Sequence, residues 1–243
     1  MTKIPIFNVA INDINLEKAF QVLNNKAINP PAYILFPDLS VLSEATEDPV
    51  LAEIINNAHI AMPDGKPSEF IAKAKGFKNV STVSGFKLIN RLLKESDNTH
   101  FFYGSTPAKL EKIKANLAAL DPDGSKILGY KSPPFVSVNE IPTSEVIINE
   151  LNEINKLKPD FVWIGLSSPK QDYLLYHHHQ LFDNSYLLGV GGVFDYLSGE
   201  VQISPEWMKK LGVRWLYRLY KEPKRLYPKY RNIFIHLFKY YLR

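Results

Sequence analysis

The chain has 243 residues, of which 45% are hydrophobic, and it contains no cysteine. This length is sufficient to bury a sizeable core, while the lack of cysteine excludes disulfides and thiolate metal sites and favours a reducing compartment. The net charge of +4 is unevenly divided, since residues 207–243 hold eleven Lys or Arg and one acid. That segment also contains ten of the thirty aromatic residues. The composition predicts an acidic body, residues 1–203, and a basic, aromatic-rich appendage, residues 204–243.

The start of the chain shows no apolar run of signal-peptide length and no small-residue cleavage site. No stretch approaches the roughly 20 apolar residues that are needed to span a bilayer. We therefore expect a cytoplasmic protein, which could still contact the inner face of the cell membrane.

Short apolar runs alternate with helical patterns along the body. The apolar runs predict buried strands at 32–36, 58–62, 100–104, 126–130, 160–165 and 185–192. Helical spacing predicts helices at 16–25, 48–58, 84–96, 106–120 and 143–158. Asp48 and Thr106, each followed by proline, are the predicted N-caps of two of these helices. The alternation predicts an α/β fold, with a mostly parallel sheet and helices on both faces.

Four strand-to-helix junctions contain unusual residues, and ligands in such a sheet bind beyond the carboxyl ends of the strands. The junctions are Pro63–Pro67, Gly104–Pro107, Gly165–Gln171 and Gly191–Asp195. Their glycines let a backbone approach a ligand, and the free N–H groups of a following helix favour phosphate. Asp64 is well situated to accept a proton. Ordinary capped turns, including a simple Asp-Gly turn, are the alternative.

Two further patterns predict structure rather than chemistry. Asp121 and Asp123 form an Asp-x-Asp sequence, but they follow a helix and are typical of its terminal turn. His177, His178 and His179 are consecutive, and consecutive helical positions point about 100° apart, which disfavours a shared metal. We interpret them as a solvated helix face.

Four segments carry a family resemblance. They are MPDGKP (62–67), FYGSTP (102–107), VWIGLSSPKQD (162–172) and LLGVGGVFDYLSGEVQISPEWMKKLGVRWLYRLYKEPKRL (187–226). In this order they resemble the WecG/TagA/CpsF glycosyltransferases, glycosyltransferase family 26. The resemblance implies a GT-E-like α/β domain with a C-terminal appendage. It also implies inverting transfer of a hexosyl or N-acetylhexosaminyl group, without metal or cofactor, in surface polysaccharide or cell-wall polymer biosynthesis.

The resemblance further implies the partners and the site residues. The donor would be a UDP-sugar, and the acceptor a saccharide linked to polyprenyl diphosphate at the cytoplasmic membrane face. Asp64 matches the general base, and Gln171 the glutamine of a GxPxQE motif, in which Asp172 here replaces Glu. Arg214, Arg218 and Arg225 match arginines that contact the acceptor diphosphate. The predicted donor-binding residues are Gly65, Lys66, Gly104, Ser105, Thr106, Gly165, Pro169, Lys170, Gly191, Gly192 and Asp195.

Two segments depart from the family pattern. Ile34 and Phe36 stand where Thr and Asn are usual, and Gly85-Phe86-Lys87 replaces a Gly-Ser-Asp sequence. The first change removes two polar groups from the expected sugar site. The alternative is therefore a nucleotide-sugar-binding or polysaccharide-assembly protein that has lost transfer activity.

The sequence of the appendage predicts two amphipathic helices. One ends before Pro223, and the other begins at Pro228. Met208, Leu211, Trp215 and Leu219 fall on one face of the first. Basic helices with aromatics are typical of membrane surfaces, although a hairpin packed on the sheet is the alternative. Nucleic-acid binding is not favoured, since the aromatics have helical spacing rather than forming a stacking platform. The family resemblance also implies self-association into a homo-oligomer.

Overall fold

The computed structural model describes residues 1–202, 208 and 214–242. The strands are β1 Lys3–Ile6, β2 Val9–Asn12, β3 Ala32–Leu35, β4 Ile60–Ala61, β5 His100–Gly104, β6 Ile127–Lys131, β7 Phe161–Gly165 and β8 Tyr186–Gly189. The helices are α1 Leu16–Asn24, α2 Leu39–Glu44, α3 Pro49–Asn57, α4 Lys66–Ala74, α5 Gly85–Glu95, α6 Pro107–Leu117, α7 Glu145–Lys156, α8 Lys170–His178, α9 Val193–Leu197, α10 Arg214–Lys221 and α11 Pro223–Leu242.

Six strands form one parallel sheet in the order β4-β3-β8-β7-β5-β6. This confirms the predicted α/β class. A separate antiparallel hairpin, β1 with β2, was not predicted. The buried side chain of Asn12 fixes this hairpin to the sheet, because its Oδ1 accepts a hydrogen bond from the backbone N–H of Ala61 at 2.8 Å.

In the six-stranded sheet, successive residues of a strand enter two different cores. On β3, Tyr33 and Leu35 belong to a first core, while Ala32 and Ile34 belong to a second. The first core includes side chains of α3, α4, α7 and α8, and the second includes side chains of α1, α5, α6 and α9. Because both faces are covered, both sets of strand side chains are apolar, which explains the continuous apolar runs of the sequence.

The predicted caps are confirmed. The Asp48 carboxylate accepts hydrogen bonds from the backbone N–H groups of Val50 and Leu51, and the Thr106 hydroxyl from that of Lys109. Asp121 accepts from two backbone N–H groups beyond its turn, at 2.8 and 3.0 Å, as its interpretation as a turn residue requires.

The interpretation of the three histidines as a solvated face is wrong for two of them. His178 is buried, with Nε2 2.8 Å from the carbonyl oxygen of Ile141. His179 is buried too, with Nδ1 3.0 Å from the carbonyl oxygen of Leu175. Each ring is held by a different backbone carbonyl, so the pair has a packing role.

The appendage is partly packed on the body. The second helix, α11, begins at Pro223, so Pro228 lies inside it rather than opening it. Helix α11 contacts α2, and the Tyr240 ring meets the Phe7 ring edge-on, with centroids 5.2 Å apart. Leu226 and Ile233 are buried. No helix in the described ranges is long and apolar enough to cross a membrane.

The other side of α11 is open to solvent. We use the term outer face of α11 for its exposed apolar side chains, which are Tyr227, Phe234, Ile235, Phe238 and Leu242. The packed and the exposed sides of one helix together account for the amphipathic pattern of the sequence. Leu211 and the side chain of Trp215, assigned to the apolar face of the first appendage helix, lie outside the described part of the chain.

Candidate functional site

The parallel order brings the four predicted junctions to one edge of the sheet. They follow β4, β5, β7 and β8, and parallel strands end at the same edge. We refer to this region as the carboxyl edge. The sheet brings together residues that are far apart along the chain, so a site can be assembled here from distant segments.

The glycines of β5 and β7 allow the two strand ends to meet. Gly104 and Gly165 are register partners, and a Cβ atom at Gly104 would lie 2.6 Å from the carbonyl carbon of Gly165. A Cβ atom at Gly165 would lie 2.3 Å from the ring of Phe194. At these positions glycine is therefore required by packing within the protein, rather than by the approach of a ligand alone.

The Gln171 amide lies at the centre of the carboxyl edge. Its side chain is only 5% exposed. Nε2 donates to the Ser168 hydroxyl at 3.3 Å and to the carbonyl oxygen of Gly189 at 3.2 Å. Oε1 is buried and has no hydrogen-bond partner among the residues that the structure describes. A buried acceptor without a partner is costly, so this oxygen is suited to receive an N–H or O–H group from a ligand.

Gly191 completes the surroundings of this amide. Its φ of +48° is in the left-handed region, and a Cβ atom there would lie 3.2 Å from Oε1 of Gln171. A side chain at position 191 would crowd this oxygen, which explains why glycine suits this junction.

Asp172, next to Gln171, is buried in the first turn of α8, with 3% of its surface exposed. Burial raises the pKa of its carboxyl group to about 7, hydrogen bonds from Ser168 and Gln171 oppose this shift, and the charges of Glu44 and Asp38 add to it. Its Oδ2 has no hydrogen-bond partner within the described segments. The carboxyl group therefore changes charge near neutral pH, directly beside the candidate ligand-binding amide.

Asp172→Asn is expected to change how stability depends on pH. The folded pKa of about 7 lies above the ordinary value of 3.8, so the folded state retains this proton longer than the unfolded state does. Stability is then lost as pH rises from about 4 to 7. The variant should match wild type near pH 4 and be more stable at pH 8, by about 1 kcal/mol or more.

Chemical denaturation between pH 4 and pH 8 measures this difference. Asp97→Asn is the control, because the Asp97 side chain is fully exposed and should give the wild-type pH profile. A parallel pH profile for Asp172→Asn and wild type would contradict the assigned shift.

Asp64 lies in the loop between β4 and α4 and is partly buried. The Ser68 hydroxyl donates to its carbonyl oxygen at 3.2 Å, which ties the loop to the first turn of α4. Gly65 has a φ of +82° and forms the N-terminal cap position of α4. The turn that places the Asp64 carboxyl group at the carboxyl edge thus depends on a backbone conformation that glycine adopts without strain.

Lys66 is engaged within the protein. Its Nζ contacts both carboxylate oxygens of Glu69 at 2.9 Å, and Glu69 also binds Lys73 and the backbone N–H of Thr82. Burial acts to raise the pKa of Glu69, but these partners lower it to about 2. The structure thus places Lys66 in an ion-pair cluster around the buried Glu69, which the donor-binding assignment from the sequence did not anticipate.

Asp195 forms an ion pair with Lys109, which also lies 3.1 Å from Glu200. Burial acts to lower the pKa of Lys109, but the two carboxylates together raise it. These side chains line a cavity of about 510 Å³ together with Tyr217 and Lys221 of α10. Sequence reasoning missed Lys109, because a lysine on the first turn of a helix has no feature that distinguishes it from a surface residue.

The remaining predicted junction residues are distributed as follows. The Thr106 side chain caps α6, and the carbonyl oxygen of Ser105, a residue with a φ of +62°, accepts from the Ser132 hydroxyl at 2.7 Å. Pro169 immediately precedes α8, with Lys170 as its first residue. Gly192 precedes α9. All of them lie at the carboxyl edge.

Ile34 and Phe36 are apolar core residues. Ile34 is fully buried in the second core, and Phe36 packs against that core. The two positions for which the resemblance implies polar residues therefore contribute packing here. The side chains of Arg214, Arg218 and Arg225 lie outside the described part of the structure. Among the described residues, no group of three or more His, Cys, Asp or Glu is arranged to hold a metal ion.

Residues 4–243 match the glycosyl transferase WecG/TagA/CpsF family. The chain belongs to this family. This confirms the resemblance that the four sequence segments indicated, and it extends over nearly the whole chain. The WecG/TagA/CpsF family is a family of glycosyltransferases, and this membership identifies the reaction class of the protein.

Three relatives of this chain are named N-acetylglucosaminyldiphosphoundecaprenol N-acetyl-beta-D-mannosaminyltransferase. The protein of Bacillus spizizenii is 26% identical over 204 residues, which cover 81% of this chain and 74% of the relative. That of Bacillus subtilis strain 168 is 24% identical over 225 residues, covering 90% and 84%. That of Staphylococcus aureus strain MW2 is 24% identical over 201 residues, covering 80% and 74%.

Proposed function

We propose that this protein transfers a sugar from a UDP-sugar to a saccharide linked to polyprenyl diphosphate, with inversion at the anomeric carbon. The observation that carries the proposal is the arrangement at the carboxyl edge. There Gly104 and Gly165 bring two strand ends together, and the buried Gln171 amide presents, beside Gly191, an oxygen that has no hydrogen-bond partner among the described residues. Family membership and the names of the relatives support the same reaction class.

The donor diphosphate is proposed to bind at the start of helices α6 and α8. Both follow strands that end at the carboxyl edge, and the free N–H groups of a helix N-terminus attract phosphate. Lys170, in the first turn of α8, supplies a cation nearby. Gln171 Oε1 would then accept a hydrogen bond from a ribose or sugar hydroxyl, which satisfies an acceptor that otherwise has no described partner.

Asp64 is proposed to be the general base. The acceptor hydroxyl oxygen attacks the anomeric carbon from the side opposite to UDP, and its proton passes to the Asp64 carboxylate. The bond between the anomeric carbon and the phosphate oxygen breaks, with its electron pair leaving on UDP. One displacement inverts the anomeric configuration, so one carboxylate is sufficient.

The acceptor is proposed to be held by the appendage, residues 204–243. Arg214, Arg218 and Arg225 would bind its diphosphate, since guanidinium groups offer forked donors and a permanent charge. The outer face of α11 would rest on the inner surface of the cell membrane, and exposed Lys224, Arg231 and Lys239 would interact with anionic lipid. In this arrangement residues 1–203 act on the donor, and the appendage delivers the acceptor.

The second candidate function is that of a nucleotide-sugar-binding or polysaccharide-assembly protein without transfer activity. The observation that favours it is the apolar character of Ile34 and Phe36, which pack in or against the second core at the end of β3. These side chains offer no hydrogen bond to a sugar.

A transfer assay with the full-length protein tests the proposed function. The protein would be incubated with UDP-linked N-acetylmannosamine, N-acetylglucosamine, glucose or galactose and with a short polyprenyl-diphosphate N-acetylglucosamine, in the presence of a chelator. We expect one donor to give UDP and a glycosylated lipid, detected by mass spectrometry. Nucleotide binding without product from any donor would favour the second candidate instead, and absence of both would contradict the donor site.

A further inference from the structure

Phe135 is an aromatic side chain that neither core uses. It follows β6 and is 92% exposed, more than any other large apolar side chain in the described ranges. The two residues that follow Phe135 are fixed by packing and by hydrogen bonds. Val136 packs against the first core, and Ser137 forms a capping box with Glu140, with hydrogen bonds of 2.9 Å to the Ser137 N–H and 2.6 Å to its hydroxyl.

The other end of this loop is attached to the candidate donor site. The Ser132 hydroxyl donates to the carbonyl oxygen of Ser105 at 2.7 Å, which links the ends of β6 and β5. Pro133 and Pro134 follow, and each ring fixes its φ near −65°. Phe135 is thus held out from the carboxyl edge between two anchored residues.

The Phe135 ring lies next to the Lys170 side chain. Lys170 Nζ lies 4.3 Å from the centroid of the Phe135 ring. Lys170 precedes the buried Gln171, so the ring stands beside the first turn of α8. The ring therefore contacts one predicted donor-binding side chain, and its loop is bonded to a second predicted donor-binding residue, Ser105.

We propose that Phe135 is the platform on which the nucleobase of the donor stacks. A flat, solvent-exposed ring beside a cation matches a nucleoside diphosphate, which combines a flat base with negative phosphates. Lys170 and the helix N-terminus would face the phosphates while the base covers the ring. This inference rests on the proposed function, because it assigns one part of the donor to one residue of the same site.

Binding measurements with the full-length protein test the platform. Isothermal titration would compare UDP with inorganic pyrophosphate, which has the phosphates but no base. Phe135→Ala should weaken UDP binding about tenfold, the effect of losing one stacked base, and should change pyrophosphate binding less than about twofold. Phe135→Trp keeps an aromatic face and should keep UDP affinity within about threefold.

Leu157→Ala is the matched control. Leu157 is also an exposed apolar side chain, at 51%, but it follows α7 and precedes β7 at the opposite edge of the sheet. The Leu157→Ala variant should bind UDP with the wild-type affinity. Because Phe135 is exposed, its replacement should leave the melting temperature unchanged, which separates a binding effect from unfolding.

The outcomes separate this inference from the proposed function. If wild type binds UDP and Phe135→Ala binds it equally well, the platform is wrong and the donor site stands. An equal loss of UDP and pyrophosphate binding would also overturn it, because the base would not be what the ring recognises. If wild type binds no uridine nucleotide, both proposals fall. If Phe135→Ala loses binding to phosphatidylglycerol vesicles and keeps its UDP affinity, Phe135 contacts the membrane rather than the nucleobase, and the platform proposal is wrong.

Discussion

Asp64→Asn should reduce sugar transfer by about 100-fold or more, because an amide cannot accept the proton of the attacking hydroxyl. Asparagine has nearly the shape of aspartate, and the hydrogen bond from Ser68 goes to the backbone carbonyl of residue 64, which the substitution retains. The loop geometry and UDP affinity should therefore stay close to wild type. Initial rates with the active donor, together with UDP titration, separate the loss of catalysis from a loss of binding.

Asp97→Asn provides the control for this experiment. It makes the same chemical change at a fully exposed carboxylate and should retain the wild-type rate. A near-normal rate for Asp64→Asn would show that another group accepts the proton. Asp195, which forms an ion pair with Lys109, would be tested next.

Gly104→Ala should destabilise the protein by about 3 kcal/mol or more and abolish UDP binding. Two effects add at this position. The φ of +135° is one that residues with a side chain rarely adopt, and the new Cβ atom would lie 2.6 to 2.8 Å from three backbone atoms of Gly165. Backbone atoms in the middle of a sheet cannot move aside as a flexible side chain can, so the ends of β5 and β7 would separate.

Gly124→Ala isolates the first effect, the strain of a positive φ. Gly124 also has a positive φ, +70°, but nothing lies within 4 Å of a Cβ atom built there. This variant should cost only about 1 kcal/mol, from backbone strain alone, and should bind UDP normally. Chemical denaturation and UDP titration of both variants measure the difference. Equal stability of the two would show that the contact between Gly104 and Gly165 is not a close packing constraint.

The sequence by itself determined the class of fold and the location of the candidate site. Six apolar runs separated by helical patterns are sufficient to predict a parallel sheet, because strands buried on both faces need apolar residues at every position. The caps Asp48 and Thr106 follow from local chemistry, since each side chain bonds to N–H groups two or three residues away. The hairpin β1 with β2 and helix α2 escaped prediction because each element is only four to six residues long.

Only the tertiary structure decided which predicted residues have partners within the protein. Lys109 and Asp195 are 86 positions apart, and no local pattern predicts their ion pair. The sequence also could not show that Lys66 binds a buried glutamate, that one oxygen of Gln171 lacks a described partner, or that burial raises the pKa of Asp172 to about 7. Each of these properties depends on groups that different strands and helices bring together. Burial and electrostatic effects act through space, so they are set by the folded arrangement rather than by the order of residues along the chain.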